Sequence, residues 1–491
     1  MKTLSYIGRV VLIVGFVAIS GAISQAELAI TEGASDYQVF QRSENNKATV
    51  RVIGTSSGEG VIQARLLEGR KTLRGFAWKE AGSVQSGRWE ARIRDIPVGG
   101  PYTLQFRLDK QKSQVLSIRE TLVGDLWILA GQSNMQGVGD LIEVEEPSPL
   151  VHTYEYAERW AIAVEPLHHL LESIDSVHWS GKTDEGERKK AAAEWRVQTT
   201  KGAGLGLPFA KEMVERTGIP VGLVPCAHGG TSMEQWSPDK KDMGGGSLYG
   251  SMLRRFHAVG GRVKGVLWYQ GESDANEKAA PLFEDRFKSF VEAVRRDFYD
   301  PDLPFYYVQI GRFVRQPGES LPWNHVQDAQ RRLADEIPHS GVAASIDFEL
   351  DDLIHVGTQS LKRLGRRLAN LACRDLFSET DLLPGPSHPV AQYKKNRGHQ
   401  IRVSFENVNG CLTAPGRVSG FSVRDQQAKD LMLIYDVNID ENQPTAVLLD
   451  ITGEPPAGAV LWYGWGLDPY CNLVDEKDMA VPVFGPTEIK R

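Results

Sequence analysis

Hydrophobic and polar residues follow three patterns along the chain, and each pattern predicts a different architecture. From about residue 28 to residue 120, short runs of alternating apolar and polar residues are separated by turns rich in glycine and serine. Ala48–Gly54 is a representative run, in which Val50 and Val52 alternate with polar neighbours. Strands of this length and spacing predict a β-sandwich.

From Thr121 to about Phe377, short apolar runs alternate with longer amphipathic segments. We predict buried strands at Leu126–Ala130, Val221–Cys226, Val263–Tyr269, Phe305–Ile310 and Val342–Ile346. We predict helices at Leu207–Thr217, Leu248–Val259, Leu282–Phe298, Val326–Glu336 and Gln359–Cys373. This alternation is typical of a parallel sheet with helices on both faces, in which right-handed crossovers bring the carboxyl ends of the strands to one edge.

Residues 141–204 interrupt the alternation. This stretch is long and charged, and it contains Tyr154, Tyr156, Trp160, Trp179 and Trp195. A long insertion of this kind either forms a lid or binding wall or elaborates the surface, and its length does not decide between the two.

A strand-and-turn pattern returns after about Leu382 and predicts a second β-domain, with residues 384–389 as a linker rich in proline. We therefore divide the chain into an N-terminal β-sandwich-like domain at residues 27–120, an α/β domain at 121–380 and a C-terminal β-domain at 381–491.

The first 26 residues have the composition of a secretory signal peptide. Lys2 and Arg9 carry positive charge, residues 10–23 are apolar, and Ser24-Gln25-Ala26 offers small residues for cleavage before Glu27. We expect an exported protein, periplasmic or extracellular. The alternative is an uncleaved membrane anchor, whereas no later segment is apolar enough to span a membrane.

Charge and cysteine content exclude several classes of function. The formal net charge is −7 and no sustained basic run occurs, so we expect no nucleic-acid partner. The four cysteines show no Cys-x-x-Cys or zinc-type spacing, and we expect no metal. Cys411 and Cys471 both fall in the last region and could pair, whereas Cys226 lies in an apolar run and is expected to be a buried small hydrophobe.

Groups capable of acyl-transfer chemistry follow four of the five predicted parallel strands. These are Gly131-Gln-Ser133-Asn-Met, Gly229-Gly230-Thr, Gln270-Gly-Glu272-Ser and the segment that runs from Asp347 through Asp352 to His355. A serine, a histidine with a carboxylate, and backbone or amide N–H groups supply a nucleophile, a base, its orienting acid and oxyanion donors. Any one of them alone is more simply a helix cap, a turn or a solvated polar residue, but four at successive strand ends are hard to attribute to chance.

Four acidic residues could orient His355: Asp347, Asp351, Asp352 and Glu272. We choose Asp352 because it lies three residues before His355, within one turn, so that its carboxylate can reach the ring nitrogen that faces away from the serine. Adjacent side chains diverge, which disfavours Asp351.

Together these motifs resemble those of the SGNH-hydrolase superfamily, within it the sialate O-acetylesterase and acetylxylan-esterase branch. The resemblance covers Gly131 to His355 and implies a doubly wound parallel-sheet hydrolase domain, here flanked by β-sandwich-like domains. It implies that Ser133 is the nucleophile, His355 the base and Asp352 its partner. The implied oxyanion donors are the backbone N–H groups of Ser133 and of Gly230 or Gly229, with Gln270 in place of the more usual asparagine.

The expected function is removal of O-acetyl groups from sugars through an acetyl-enzyme on Ser133, without a metal or organic cofactor. The partner is therefore an acetylated sugar or glycan, and the candidates for binding it are Gln132, Gly229, Trp236 and Glu272. Alternatives are a deacetylase of xylan or another polysaccharide, a lipase or thioesterase with the same machinery, and a non-catalytic glycan-binding protein on the same fold.

Overall fold

The computed structural model describes residues 27–315, 320–377, 379, 381–395 and 398–491. The predicted signal peptide lies outside the described residues. Within them, no helix combines the length and the apolar character needed to cross a membrane.

The N-terminal strands form one sheet. They are β1 (Leu28–Glu32), β2 (Val39–Gln41), β3 (Lys47–Ser56), β4 (Val61–Glu68), β5 (Lys71–Thr72), β6 (Lys79–Gln85), β7 (Arg88–Pro97), β8 (Gly99–Leu108) and β9 (Leu116–Gly131). The sheet is antiparallel except for β2, which pairs with β9 in the parallel sense. Alternate side chains of β3, β4, β7 and β8 are buried in one hydrophobic cluster, as the alternating sequence predicts.

Strand β9 joins this sheet to the α/β region. Its first part pairs antiparallel with β8, whereas its last part runs parallel to two strands of the α/β region. Glu120 has a φ of 55° within the strand, and every residue from Thr121 onward is buried. The strand therefore bends at Glu120 and passes from a sheet exposed on one face into a sheet covered on both, so the predicted boundary at 120/121 falls inside a single strand.

The α/β region contains a parallel sheet in the order β11-β14-β9-β15-β16-β17. Besides β9, the strands of the α/β region are β10 (Gly139–Asp140), β11 (Val151–Tyr154), β12 (Trp160–Ile162), β13 (Lys201–Ala203), β14 (Val221–Pro225), β15 (Gly265–Tyr269), β16 (Phe305–Gln309) and β17 (Ser340–Ala344). β10 pairs with β13 away from this sheet, and β12 adds to the edge strand β11 in the antiparallel sense. The parallel arrangement predicted from the alternation is confirmed.

The helices of this region are α1 (Ser133–Gln136), α2 (Glu185–Gln198), α3 (Gly206–Thr217), α4 (Leu248–Ala258), α5 (Phe283–Asp297), α6 (Leu321–Glu336) and α7 (Thr358–Leu376). Short 3-10 helices lie at Leu170–Glu172, Ser176–His178, Pro238–Gly246, Glu272–Asp274 and Ala280–Leu282. Helix α3 packs on α7 and α5 packs on α6, and their apolar faces share one core with the parallel strands.

The insertion at residues 141–204 is more regular than its length suggested. It contributes β11 and β12 to the edge of the parallel sheet and carries α2 on the surface. Tyr154, Tyr156 and Trp160 are buried in the interior rather than exposed as sugar platforms. For these three aromatic residues, burial indicates packing and not a binding wall, one of the two roles that the sequence had left open.

The C-terminal region is rich in β-strands and has a hydrophobic cluster of its own. Its strands are β18 (Ser387–Lys395), β19 (His399–Glu406), β20 (Leu412–Thr413), β21 (Phe421–Arg424), β22 (Ile434–Ile439), β23 (Ala446–Ile451), β24 (Val460–Tyr463), β25 (Val474–Asp475) and β26 (Phe484–Lys490). The mixed α/β class with β-rich flanks is thus confirmed, and the description of those flanks as sandwiches stays a prediction.

The cysteines of the described part of the chain carry free thiols. The Cys411 thiol donates to Glu476 Oε1 over 3.0 Å, and Cys471 is buried, so the two do not pair. Cys226 is buried in the core, as predicted.

Candidate active site

Ser133 follows the central strand β9 and is the first residue of α1. The chain turns at Gly131, whose φ is 137° and where a Cβ atom would lie 2.2 Å from the carbonyl oxygen of Tyr269. Only glycine fits there, because a side chain would meet both the backbone of the next strand and an unfavourable conformation. The sharp turn therefore presents Ser133 at the carboxyl edge of the sheet, where α/β folds bind their ligands.

His355 and Asp352 lie on the loop after β17 and contact each other. His355 Nδ1 is 2.7 Å from Asp352 Oδ2, and Asp352 Oδ1 accepts the backbone N–H groups of Ile354 and His355 over 2.9 Å each. Burial alone would raise the pKa of Asp352, but these hydrogen bonds outweigh it and lower the pKa to about 2. A charged carboxylate must accept from Nδ1–H, which leaves Nε2 of the neutral ring as the basic nitrogen.

Asn134 connects the serine turn to the histidine loop. Its Oδ1 accepts the Val356 N–H over 3.0 Å, and its Nδ2 donates to the Ile354 carbonyl over 3.4 Å. The residue after Ser133 therefore binds the backbone on both sides of His355 and places the two loops side by side. Within the described part of the chain, no hydrogen bond joins His355 to the Ser133 hydroxyl.

The other two candidate aspartates are engaged elsewhere. Asp347 forms a bidentate pair with the buried Arg367, at 2.7 Å for each oxygen. Asp351 Oδ2 accepts the backbone N–H of Asp140 over 2.7 Å. The structure therefore brings only Asp352, of the three aspartates, to the ring of His355.

The Gly229–Gly230 turn lies against Ser133. A Cβ atom at Gly229 would lie 3.4 Å from Ser133 Cβ and 3.2 Å from Gln136 Oε1. The Gly229 N–H donates to Gln136 Oε1 over 2.8 Å, whereas no described residue accepts the N–H of Gly230, which is exposed with a φ of 70°. Of the two glycines, Gly230 therefore has the N–H that is available to a ligand.

Gln270 and Trp236 lie behind this turn and not at its surface. Gln270 is fully buried, and its amide nitrogen donates to the Thr231 carbonyl over 3.1 Å and to Asp274 Oδ2 over 2.6 Å. Trp236 is also fully buried, with its indole N–H on Thr231 Oγ1 at 3.0 Å. The predicted roles of Gln270 as an oxyanion donor and of Trp236 in substrate binding are corrected, because both donors are used internally to fix the turn.

Gln132 and Glu272 also face inward. Gln132 is buried and its Oε1 lies 3.3 Å from the Ser273 N–H and 3.5 Å from the Gly271 N–H, so it braces the neighbouring loop and does not face substrate. Glu272 Oε1 accepts from Asn134 Nδ2 over 2.7 Å, and its buried Oε2 has no partner among the described residues. Burial raises the pKa of Glu272, against the lowering effect of the Asn134 hydrogen bond.

Sequence reasoning missed Asn134 and His228 as components of the site. Asn134 follows the serine directly and His228 precedes the glycine pair, so both lay inside motifs that had been singled out for their neighbours. Within the described residues, no group of three or more His, Cys, Asp or Glu side chains is arranged to hold a metal ion.

The profile of a known protein family matches this part of the chain. The family is described as "Carbohydrate esterase, sialic acid-specific acetylesterase", and the match runs over residues 123–374, half of the chain. The chain belongs to this family. It is thus a carboxylic ester hydrolase, as the motifs from Gly131 to His355 implied.

Known carbohydrate esterases are similar in sequence to this chain. A probable carbohydrate esterase of Arabidopsis thaliana is 29% identical over 269 residues, which are 50% of this chain and 88% of the plant protein. The human sialate O-acetylesterase is 24% identical over 342 residues, 60% of this chain and 61% of the human protein. The match to the human enzyme therefore spans about three fifths of its length.

A solved structure resembles the carbohydrate esterase described here over most of its length. The carbohydrate acetylesterase of Xanthomonas citri superposes with a TM-score of 0.63 at 23% identity, covering 93% of this chain and 99% of that one. At this level of identity, the likeness shows a common fold.

Proposed function

We propose that this carbohydrate esterase removes acetyl groups from O-acetylated sugars through an acetyl-enzyme on Ser133. The observation that carries the proposal is the contact between His355 and Asp352 on a loop that Asn134 holds beside Ser133. The motifs of the family and the names of its relatives, which include sialate and other carbohydrate esterases, support acetylated sugars as the substrate class.

In the first half of the reaction, His355 Nε2 takes the proton of the Ser133 hydroxyl as Oγ attacks the acetyl carbonyl carbon. Asp352 holds the ring through Nδ1 and stabilises the imidazolium that forms. Collapse of the tetrahedral intermediate breaks the bond to the sugar oxygen, which leaves with the proton from Nε2. The acetyl group stays on Ser133.

In the second half, a water molecule gives a proton to Nε2 and attacks the acetyl-enzyme. The second tetrahedral intermediate releases acetic acid, and Ser133 Oγ regains its proton from His355. Every proton that moves is therefore carried by one nitrogen atom, and no cofactor takes part.

The oxyanion of both intermediates is bound by backbone N–H groups of Ser133 and Gly230. The Gly230 N–H is free to bind, and the turn that carries it packs against the nucleophile. A well-placed donor of this kind contributes about 3 kcal/mol to the transition state. With Gln270 occupied internally, we assign the oxyanion site to the backbone alone.

The test is release of acetate from a panel of acetylated sugars and polysaccharides, xylan included, by the wild type and by Ser133→Ala. We expect the variant to lose ester hydrolysis while it keeps the fold, measured by circular dichroism and thermal unfolding. Mass spectrometry of rapidly quenched wild type should show the mass of one acetyl group on the peptide that contains Ser133. Turnover of an aryl acetate by Ser133→Ala within about tenfold of the wild type would contradict the proposal.

We also propose that the protein is exported, because its first 26 residues combine a charged start, an apolar stretch and a Ser-x-Ala end. Mass spectrometry of the protein expressed in its native host should find Glu27 near the amino terminus. Exported protein that retains Met1 would contradict cleavage.

A further inference from the structure

His228 lies at the rim of the site, and no step of the proposed mechanism uses it. Its backbone N–H donates to the Gly131 carbonyl over 3.0 Å, and the next residue packs against Ser133. The Tyr156 hydroxyl donates to the Ala227 carbonyl over 2.8 Å and fixes the backbone just before the histidine. His228 is partly exposed, and its backbone is fixed directly before the turn that packs against Ser133.

A buried chain of hydrogen bonds runs inward from this ring. His228 Nδ1 lies 3.1 Å from Nδ1 of His178, whose Nε2 lies 3.1 Å from Ser251 Oγ. Ser251 Oγ lies 2.6 Å from Asp175 Oδ2, and Arg254 donates to both oxygens of that carboxylate, over 2.7 and 2.6 Å. His178, Ser251 and Asp175 are all buried, so their hydrogen bonds are shielded from bulk water.

The carboxylate fixes the direction of each hydrogen bond in the chain. Because Asp175 only accepts, Ser251 must donate its single proton to it and can only accept from His178. His178 therefore carries its proton on Nε2, and the lone pair on its Nδ1 accepts from Nδ1–H of His228. A neutral His228 that is protonated on Nδ1 has its remaining lone pair on Nε2.

Burial favours the neutral state of both rings, which this assignment requires. Burial lowers the pKa of His178 well below its usual range, and the nearby His228 and Arg255 lower it further. Burial also lowers the pKa of His228. A neutral imidazole has one N–H and one lone pair, so neither ring can donate through both nitrogens.

We propose that His228 Nε2 accepts a hydrogen bond from a free hydroxyl of the sugar next to the acetyl ester, and so selects substrates that carry a hydroxyl there. This inference rests on the proposed function, because it needs a sugar acetate bound at Ser133. If Nε2 carried the proton, Nδ1 of His228 would have to accept from His178, and Ser251 would have to donate to His178 and not to Asp175. The buried carboxylate of Asp175 would then lose the hydrogen bond from Ser251. The ring therefore distinguishes a hydroxyl from an ether or a methyl group at the same position.

The test compares two substrates on the wild type and on His228→Phe. A mono-O-acetylated methyl glycoside offers free hydroxyls, whereas para-nitrophenyl acetate offers none. We expect the ratio of kcat/KM for the glycoside to kcat/KM for the aryl ester to fall about three- to tenfold in the variant, the effect of one lost hydrogen bond. O-methylation of the neighbouring hydroxyl should reduce the wild-type kcat/KM by a similar factor and should add no further loss in His228→Phe.

Two controls separate this proposal from a general loss of activity or of folding. His257→Gln changes an exposed histidine on the same helix as Ser251 and should keep the wild-type ratio. Aryl acetate hydrolysis by the wild type but not by Ser133→Ala tests the proposed function itself, independently of His228. A ratio that is the same in His228→Phe and in the wild type would overturn the proposal.

A measurement on the intact enzyme does not depend on His228→Phe folding. Long-range nitrogen–proton spectra of histidine-labelled protein distinguish protonated from unprotonated ring nitrogens. In the wild type we expect the proton of His228 on Nδ1 and that of His178 on Nε2. In Ser251→Ala, His178 loses the group that accepts from Nε2, so we expect both rings to become mixtures of the two tautomers. A wild-type His228 protonated on Nε2 would overturn the proposal.

Discussion

The two loops that flank Ser133 are held in different ways. On the base side, the side chain of Asp352 is 41% exposed, that of His355 is 21% exposed, and their contact depends on a few hydrogen bonds within four residues. On the oxyanion side, the Gly229–Gly230 turn is held by the side chain of Gln136 and, through Thr231, by the fully buried side chains of Gln270 and Trp236.

In the proposed mechanism, the difference follows from what each loop supplies. The base side presents a side chain that gains and loses protons, so it needs a single oriented ring that remains open to substrate. The oxyanion side presents backbone N–H groups, which have no side-chain freedom to adjust, so the backbone itself must be fixed. We therefore expect substitutions on the base side to slow the proton transfers of the chemical step. Substitutions on the oxyanion side should lower activity by displacing the backbone N–H groups.

The largest expected effect in this comparison is that of Asp352→Asn on the base side. One oxygen of Asp352 accepts the backbone N–H groups of Ile354 and His355, so an asparagine keeps its oxygen there and turns its NH2 group toward His355 Nδ1. The NH2 group can only donate and favours the wrong tautomer of His355, which in a comparable triad costs about 10⁴-fold in rate. Because Asp352 is partly exposed, we predict a loss of at least about a hundredfold in kcat, with KM changed little.

Asp351→Asn is the matched control, since that carboxylate accepts a backbone N–H of Asp140 and does not touch His355. It should cost much less than Asp352→Asn. Because the pKa of Asp352 is lowered to about 2, its carboxylate should stay charged over the acidic pH range in which we expect activity to fall. The fall of kcat/KM at acidic pH in the wild type should therefore not reflect protonation of Asp352. A near-normal kcat for Asp352→Asn would show that Asp352 is not needed to orient His355.

The base side could be predicted from the sequence because its parts are close together in the chain. Asp352 and His355 are three residues apart, and a spacing within one turn already restricts which carboxylate can reach the ring. Five of the six strands of the parallel sheet could be predicted for a similar reason, since each is a short apolar run.

The oxyanion side could not be predicted in the same way. Gln270 and Trp236 are polar or aromatic residues near a strand end, and nothing local shows whether they face substrate or the interior. Tertiary contacts decide it: the carbonyl and hydroxyl of Thr231 take the hydrogen bonds of both residues. Strands β11 and β18 were missed because one lies in a long insertion and the other begins inside a segment rich in proline.

The second prediction tests the oxyanion side with Gly229→Ala. The added Cβ atom would lie 3.4 Å from Ser133 Cβ and 3.2 Å from Gln136 Oε1, so the turn or the nucleophile must shift by a few tenths of an ångström. We expect kcat/KM to fall about tenfold, less than for a lost oxyanion donor, because the donors are displaced and not removed.

Gly453→Ala is the control for this change, since no atom lies within 4 Å of a Cβ at that position. The variant should keep wild-type kcat/KM and thermal stability. If Gly229→Ala matches it in activity, then the close packing of the turn on Ser133 does not matter for catalysis.

The smallest expected effect is that of Glu272→Gln, at the junction of the two sides. Its Oε1 accepts from Asn134, which in turn binds the loop of His355, and glutamine retains an acceptor oxygen at that place. We predict a loss in kcat/KM of less than about tenfold, far below that of Asp352→Asn. A crippled Glu272→Gln beside a nearly normal Asp352→Asn would mean that Glu272 is the acid that orients His355.

Thermal stability measured against pH gives an independent test of the same residue. Burial raises the pKa of Glu272, so as pH rises the unfolded chain loses this proton before the folded protein does, and the carboxylate increasingly favours unfolding. Glutamine has no proton to lose. The Tm of Glu272→Gln relative to the wild type should therefore be higher at pH 7 than at pH 4, and a difference that is constant across this range would show that the buried carboxylate is not destabilising in its charged form.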